Sequence, residues 1–84
     1  MSLFSSTYNI SIEGNDFLVV FGGWSGNKLV SITNVATGKL VTDLFMPFTK
    51  DDLLKEKRVS ASASLFGSGQ NISRWNLDTD PKEV

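Results

Sequence analysis

The sequence predicts a small, β-rich α+β domain. Three observations carry that prediction: stretches in which apolar and polar residues alternate with period two, glycine-centred turns between them, and a single stretch with the charge pattern of a helix. The expected order is an antiparallel meander of four strands, one short helix, then two further strands. If the sheet curls on itself, the result is a small SH3-like or OB-like barrel; periodicity does not separate a barrel from an open sheet.

The elements follow in chain order. "YNISIE", 8–13, sets Tyr8, Ile10 and Ile12 against Asn9, Ser11 and Glu13, the pattern of a half-buried strand, and "GND", 14–16, reads as a hairpin turn. "FLVVF", 17–21, is apolar on both faces and is expected to be central. "LVSITNV", 29–35, alternates again, with Val30 and Ile32 on one face; "ATGK", 36–39, is a second turn in which Gly38 can take positive φ. "LVTDLFM", 40–46, is the expected fourth strand, stopped by Pro47, which has no N–H for a ladder.

"TKDDLLKEK", 49–57, is the expected helix. Thr49 stands as N-cap with Asp52 three residues on, a capping box with Asp in place of Glu; Asp51 and Asp52 lie in the first turn, and Lys55, Lys57 and Arg58 lie at the end. "VSASASL", 59–65, has period two despite its alanines and reads as a strand. "FGSGQ", 66–70, turns the chain into a weaker strand, "NISRWNL", 71–77. The domain is expected to occupy 1–77, with 78–84 as a flexible acidic tail.

At an offset of 42 residues "VSITNVAT" (30–37) lies over "ISRWNLDT" (72–79), with Ser31/Ser73, Asn34/Asn76 and Thr37/Thr79 identical. The spacing resembles that of a WD-type propeller blade, with Trp75-Asn76 where the blade pattern has Trp-Asp. Two hairpins with similar turn chemistry account for the same matches, and that reading is preferred.

Composition narrows the function. The 84 residues are 40% hydrophobic and 20% charged, within the globular range. A chain this short buries only roughly 60–65% of its unfolded surface, which, with an open edge strand, leads to the expectation of a homo-oligomer. With no cysteine and no histidine, the usual zinc sites and Ser-His or Cys-His pairs cannot form. The carboxylates do not pair convincingly: Asp51 and Asp52 are adjacent on the helix and splay apart. Neither an enzyme nor a cofactor is expected. Residues 1–77 carry seven Lys or Arg against six Asp or Glu, net +1, and 78–84 carry one against three, net −2, which together give the −1 of the whole chain and no basic face. The start lacks a signal-peptide pattern and no apolar run is long enough to span a bilayer, so a cytoplasmic protein without membrane contact is expected.

"FGGWSGNK", 21–28, is the stretch with most to explain. It is no phosphate loop, because a strand follows and no Ser or Thr follows Lys28. Its glycines free Trp24 either to fold back over Phe21 and Leu29 as a core cap, the preferred reading, or to stack on a partner. The candidate contact residues are Trp24, Asn27, Lys28, Phe48, Lys50, Arg74 and Trp75. For Trp75, core or subunit contact is preferred over ligand stacking, with Arg74 on the opposite face. The leading function is a non-catalytic interaction module that binds a protein or assembles with itself. Second is single-stranded nucleic-acid binding by aromatics near lysines (Phe21, Trp24, Lys28; Phe48, Lys50), and third is carbohydrate stacking on Trp24 and Trp75 beside Asn27 and Asn76.

Overall fold

A computed structural model describes residues 5–45, 47–56, 58–62 and 71–84, with backbone alone at 58–62 and 71–75. Strands β1 (Ser6–Ile12), β2 (Asn15–Gly22) and β3 (Lys28–Asn34) form the expected meander, with β2 central. Helix α1 (Lys50–Glu56) follows, then β4 (Arg58–Ser62) and β5 (Asn71–Asn76), which pair with each other in a separate two-stranded sheet. A last short strand, β6 (Lys82–Glu83), lies beside β1, so the larger sheet is an open one of four antiparallel strands in the order β3-β2-β1-β6. Its ends do not close into an SH3-like or OB-like barrel among the described residues.

Alternation on β1 and β2 builds the core. Tyr8, Ile10 and Ile12 pair across from Val19, Phe17 and Asn15, and Ser6 from Phe21, so the apolar members share one face. Ile10, Ile12, Phe17, Val19, Phe21, Ile32 and Leu53 are fully buried, and Tyr8, Phe45 and Phe48 nearly so. Each such side chain contributes roughly 1.5–3 kcal/mol on leaving water. The rings meet edge to face: Tyr8 on Phe21 at 6.1 Å, Phe21 on Phe48 at 5.9 Å and Phe17 on Phe45 at 5.8 Å between centroids.

The first turn lies one residue earlier than "GND". Glu13 and Gly14 form it, with φ of 49° and 82°, and Asn15 already pairs with Ile12. The second turn is as expected: the Asn34 side chain accepts from the N–H groups of Ala36 and Thr37, and Gly38 takes φ 72°.

Val30 does not share the core face with Ile32. The register slips between Val20 and Phe21, so that Val20 faces Ser31 while Phe21 faces Leu29. Val30 is the extra residue of a bulge, which turns Leu29 toward the core and leaves Val30 54% exposed.

In place of the expected fourth strand, 40–46, the chain has isolated bridge residues at Leu40 and Phe45 and a 3-10 turn at Thr42–Leu44, with Met46 outside the described residues. Leu40 bridges to Thr33, and Val41 donates its N–H to the Ile32 carbonyl. Thr42 then uses its side chain where a strand would use its backbone, its hydroxyl oxygen accepting from the Ile32 N–H at 2.8 Å. The residues that pack on the core are Val41, Leu44, Phe45 and Phe48, at spacings of three, four and seven. That is a helical period, which is why the chain coils here instead of extending.

Residues 78–84, expected as a flexible tail, run along β1 instead. Asn9 faces Lys82 and Tyr8 faces Glu83, the Asp78 N–H donates to the Ser11 carbonyl, and the Val84 N–H to that of Thr7. Backbone bonds to an otherwise bare strand edge offset the ordering of a segment with no apolar pattern. The two halves related by the 42-residue offset also fold differently. β3 borders a three-strand meander, whereas among the described residues β5 pairs with β4, which follows the helix. The further strands expected at 59–65 and 71–77 correspond to β4 and β5 over the described residues, while 63–65 and "FGSGQ" lie outside them.

Candidate interaction surface

The chain leaves β2 at Gly22 and re-enters β3 at Lys28 through a loop that needs two positive-φ glycines, Gly23 at 85° and Gly26 at 71°. Between them stands Trp24, 86% exposed. The core cap expected of it is absent, because the end of the core above Phe21 is filled by Phe48 and Leu29, which arrive from other segments. The glycines hold the indole out rather than fold it back.

Asn27 closes the loop by capping α1. Its backbone carbonyl accepts from the Lys50 N–H at 3.1 Å, and its side-chain Oδ1 accepts from the Asp51 N–H at 3.0 Å. Thr49 and Asp52 complete the start of the helix as the expected capping box: the Thr49 N–H donates to Asp52 Oδ2 at 3.0 Å and the Asp52 N–H to Thr49 Oγ1 at 3.1 Å. The N–H groups of residues 49 to 52, which a helix start leaves without intrahelical partners, are thus all satisfied inside the chain. They are not free to hold an anion. Lys28, exposed, bridges to Thr49 and fixes the same junction.

An open groove of about 650 Å³ lies between this loop, the start of α1 and the turn at 42–48. Leu29, Phe45, Pro47 and Phe48 supply its apolar lining; Ser25, Lys28, Asp43 and Asp52 are among its polar residues. Trp24 immediately precedes one of the lining residues, Ser25. An apolar concavity with a few polar groups suits an aliphatic or aromatic side chain carried by a peptide.

The candidate residues therefore divide. Trp24 is exposed beside the groove and Lys28 is exposed on its wall; Asn27 and Phe48 also line it but are chiefly structural, one as a cap and the other as a buried core ring. Lys50 places its Nζ 5.7 Å from the centroid of the Tyr8 ring, a cation–π contact. Arg74 and Trp75 lie on β5, with their side chains outside the described residues. Sequence reading missed Leu29, Asp43, Phe45 and Pro47 as groove residues; the three-four-seven spacing from Val41 was the signal that would have gathered part of this set.

Among the described residues no helix is long and apolar enough to cross a membrane. No protein-family model matches the chain, and no curated protein and no solved structure matches it either.

Proposed function

We propose that this protein is a small, non-catalytic interaction module that binds a segment of another protein at the Trp24 loop and the adjoining groove. The observation that supports the reading is the 86% exposure of Trp24. An indole held in water between two glycines adds little to the fold, whereas tryptophan is among the residues that contribute most when an interface closes over them. The groove next to it would take the apolar anchor of the bound segment, and Lys28 and Asp43 would bond to its polar groups.

The nucleic-acid reading loses its stacking platform, since Phe21 and Phe48 are buried and only Trp24 of the named aromatics offers a face. The carbohydrate reading relies on polar groups such as Asn27 and Asn76 beside the tryptophans, and of Asn27 the Oδ1 is already bonded to the Asp51 N–H, which leaves its amide donors for a sugar.

The test is selection from a chemically defined library of displayed peptides against the immobilised protein, with Trp24→Ala as the counter-selection target. The expected result is enrichment of peptides with an apolar anchor whose dissociation constants rise ~30-fold or more on Trp24→Ala, as loss of a hot-spot residue worth ~2 kcal/mol requires. Peptides that bind parent and variant alike, or no enrichment, would refute the reading. Tight, steeply salt-dependent binding of a single-stranded oligonucleotide would replace it with the nucleic-acid one.

A further inference from the structure

Segment 78–84 is held on β1 with little burial of its side chains. Pro81 is half-buried and the other six residues are exposed, including Val84 at 77%. Its bonds to β1 fall along one strip of that strand and its turn. Asp78 donates its N–H to the Ser11 carbonyl at 2.7 Å, and its carboxylate accepts from the Gly14 N–H at 2.8 Å and the Ser11 hydroxyl at 3.4 Å. Beyond it come the Asn9–Lys82 and Tyr8–Glu83 pairs and the Val84 N–H bond to Thr7 at 2.9 Å. All these acceptors and donors belong to β1 and its turn, from Thr7 to Gly14.

Two consequences follow. An attachment with so little apolar burial, Pro81 alone being partly covered, opens at a small fraction of the free energy of global unfolding. Once open, it leaves the β1 edge as a row of unpaired backbone groups that another strand of the same pattern satisfies. The opposite border of the sheet offers no such strip, because Leu40, Val41, Thr42 and Thr49 already bond to β3.

We infer that the β1 edge, from Thr7 to Gly14, is a strand-addition site whose exchangeable occupant is segment 78–84 of a second copy of this chain, so that two copies dimerise by trading these segments. The occupant is specified by what already sits there. An aspartate that accepts from Gly14 followed four and five residues later by Lys82 and Glu83 opposite Asn9 and Tyr8 is satisfied identically whichever copy supplies it. Leu77, packed against the core, is the hinge, and the seven residues beyond it reach ~23–25 Å when extended. Two β1 edges facing each other across a two-fold axis meet the geometric need. The inference is independent of the groove, which lies on the β3 side.

The absence of cysteine makes the test clean. Directly opposed residues of an antiparallel pair lie within disulfide range, so Asn9→Cys and Lys82→Cys report on the β1–β6 pairing. The two single variants of the full chain are mixed in equal amounts under reducing conditions at high concentration, equilibrated, and oxidised. Exchange predicts that disulfide dimers joining position 9 of one chain to position 82 of the other outnumber like-with-like dimers several-fold, increasingly so with concentration during equilibration. The double variant, oxidised when dilute, is expected to close within one chain, and repeating the mixture on a Trp24→Ala background should change nothing. Random coupling, in which mixed and like pairs form in equal total amounts, or no dimer at all, would overturn the inference. Failure of the dilute double variant to close would overturn it too, by showing that the β1–β6 register does not exist. A mixed dimer lost with Trp24 would assign self-association to the groove and refute exchange.

Discussion

Asn27→Ala removes one atom of consequence, the Oδ1 that accepts from the Asp51 N–H at 3.0 Å, and leaves the backbone carbonyl on Lys50 in place. Loss of a capping side chain costs ~1 kcal/mol, within a range of ~0.5–2. The stability of a domain of this length is ~4–13 kcal/mol, so the change is a visible fraction of the whole. It corresponds to a fall of ~4–8 °C in Tm. The assay is thermal unfolding followed by circular dichroism, with two companions. Asn27→Asp keeps an acceptor at the same place and should recover at least half of the loss, its added charge being favoured by the helix dipole and opposed by Asp51 and Asp52. Trp24→Ala, altering a side chain that is 86% exposed, should melt with the parent protein. If Asn27→Ala melts with the parent, or Asn27→Asp falls as far as the alanine variant, the cap does not hold the loop to α1 and the described wall of the groove is wrong.

Three further outcomes are expected. Glu13 has φ 49°, a left-handed conformation that costs ordinary residues ~1–2 kcal/mol and asparagine less, so Glu13→Asn should stabilise by ~1 kcal/mol, read as a higher urea midpoint at unchanged slope. Thr42→Val keeps the shape but deprives the Ile32 N–H of its acceptor, at a cost of ~1–3 kcal/mol by urea unfolding, and the freed β3 edge should scatter light on heating in proportion to concentration. For Asp78, chiefly the hydrogen bond from the Gly14 N–H lowers the pKa from its ordinary 3.8. Its contribution is therefore fully present above 3.8 and is lost as pH falls through the lower native value, so the Tm gap between parent and Asp78→Asn should be constant above pH ~5 and shrink in strong acid.

Where a rule of period applies to one face of one element, the fold was readable. Tyr8, Ile10 and Ile12 sit where alternation puts them, and Thr49 and Asp52 bond as their spacing requires. Errors arose where two periods compete. In "LVTDLFM" strand-forming residues mask the spacing of Val41, Leu44, Phe45 and Phe48, and β-propensity yields to packing on Phe17 and Phe21. A bulge is equally invisible, because inserting Val30 changes the face of every residue on one side of it without altering the pattern along the chain. The acidic tail was misread because backbone hydrogen bonds, unlike burial, leave no signature in side-chain hydropathy.

The candidate surface was less legible than the fold, and the reason is distance along the chain. Asn27 caps a helix 24 residues away, and Phe48 fills the space above Phe21 that its local sequence seemed to reserve for Trp24. A local reading asks what each residue can do for its neighbours, and by that standard an indole near Phe21 belongs in the core. The competition was decided by a residue the local reading does not weigh: Phe48 reaches Phe21 from a segment already pinned by Thr42, Thr49 and Asn27, at no further ordering of the glycine loop. Burying Trp24 would require re-forming the loop about Gly23 and Gly26 and displacing a ring already in place. Its exposure is thus a product of the core being complete without it, which leaves the indole available for a partner.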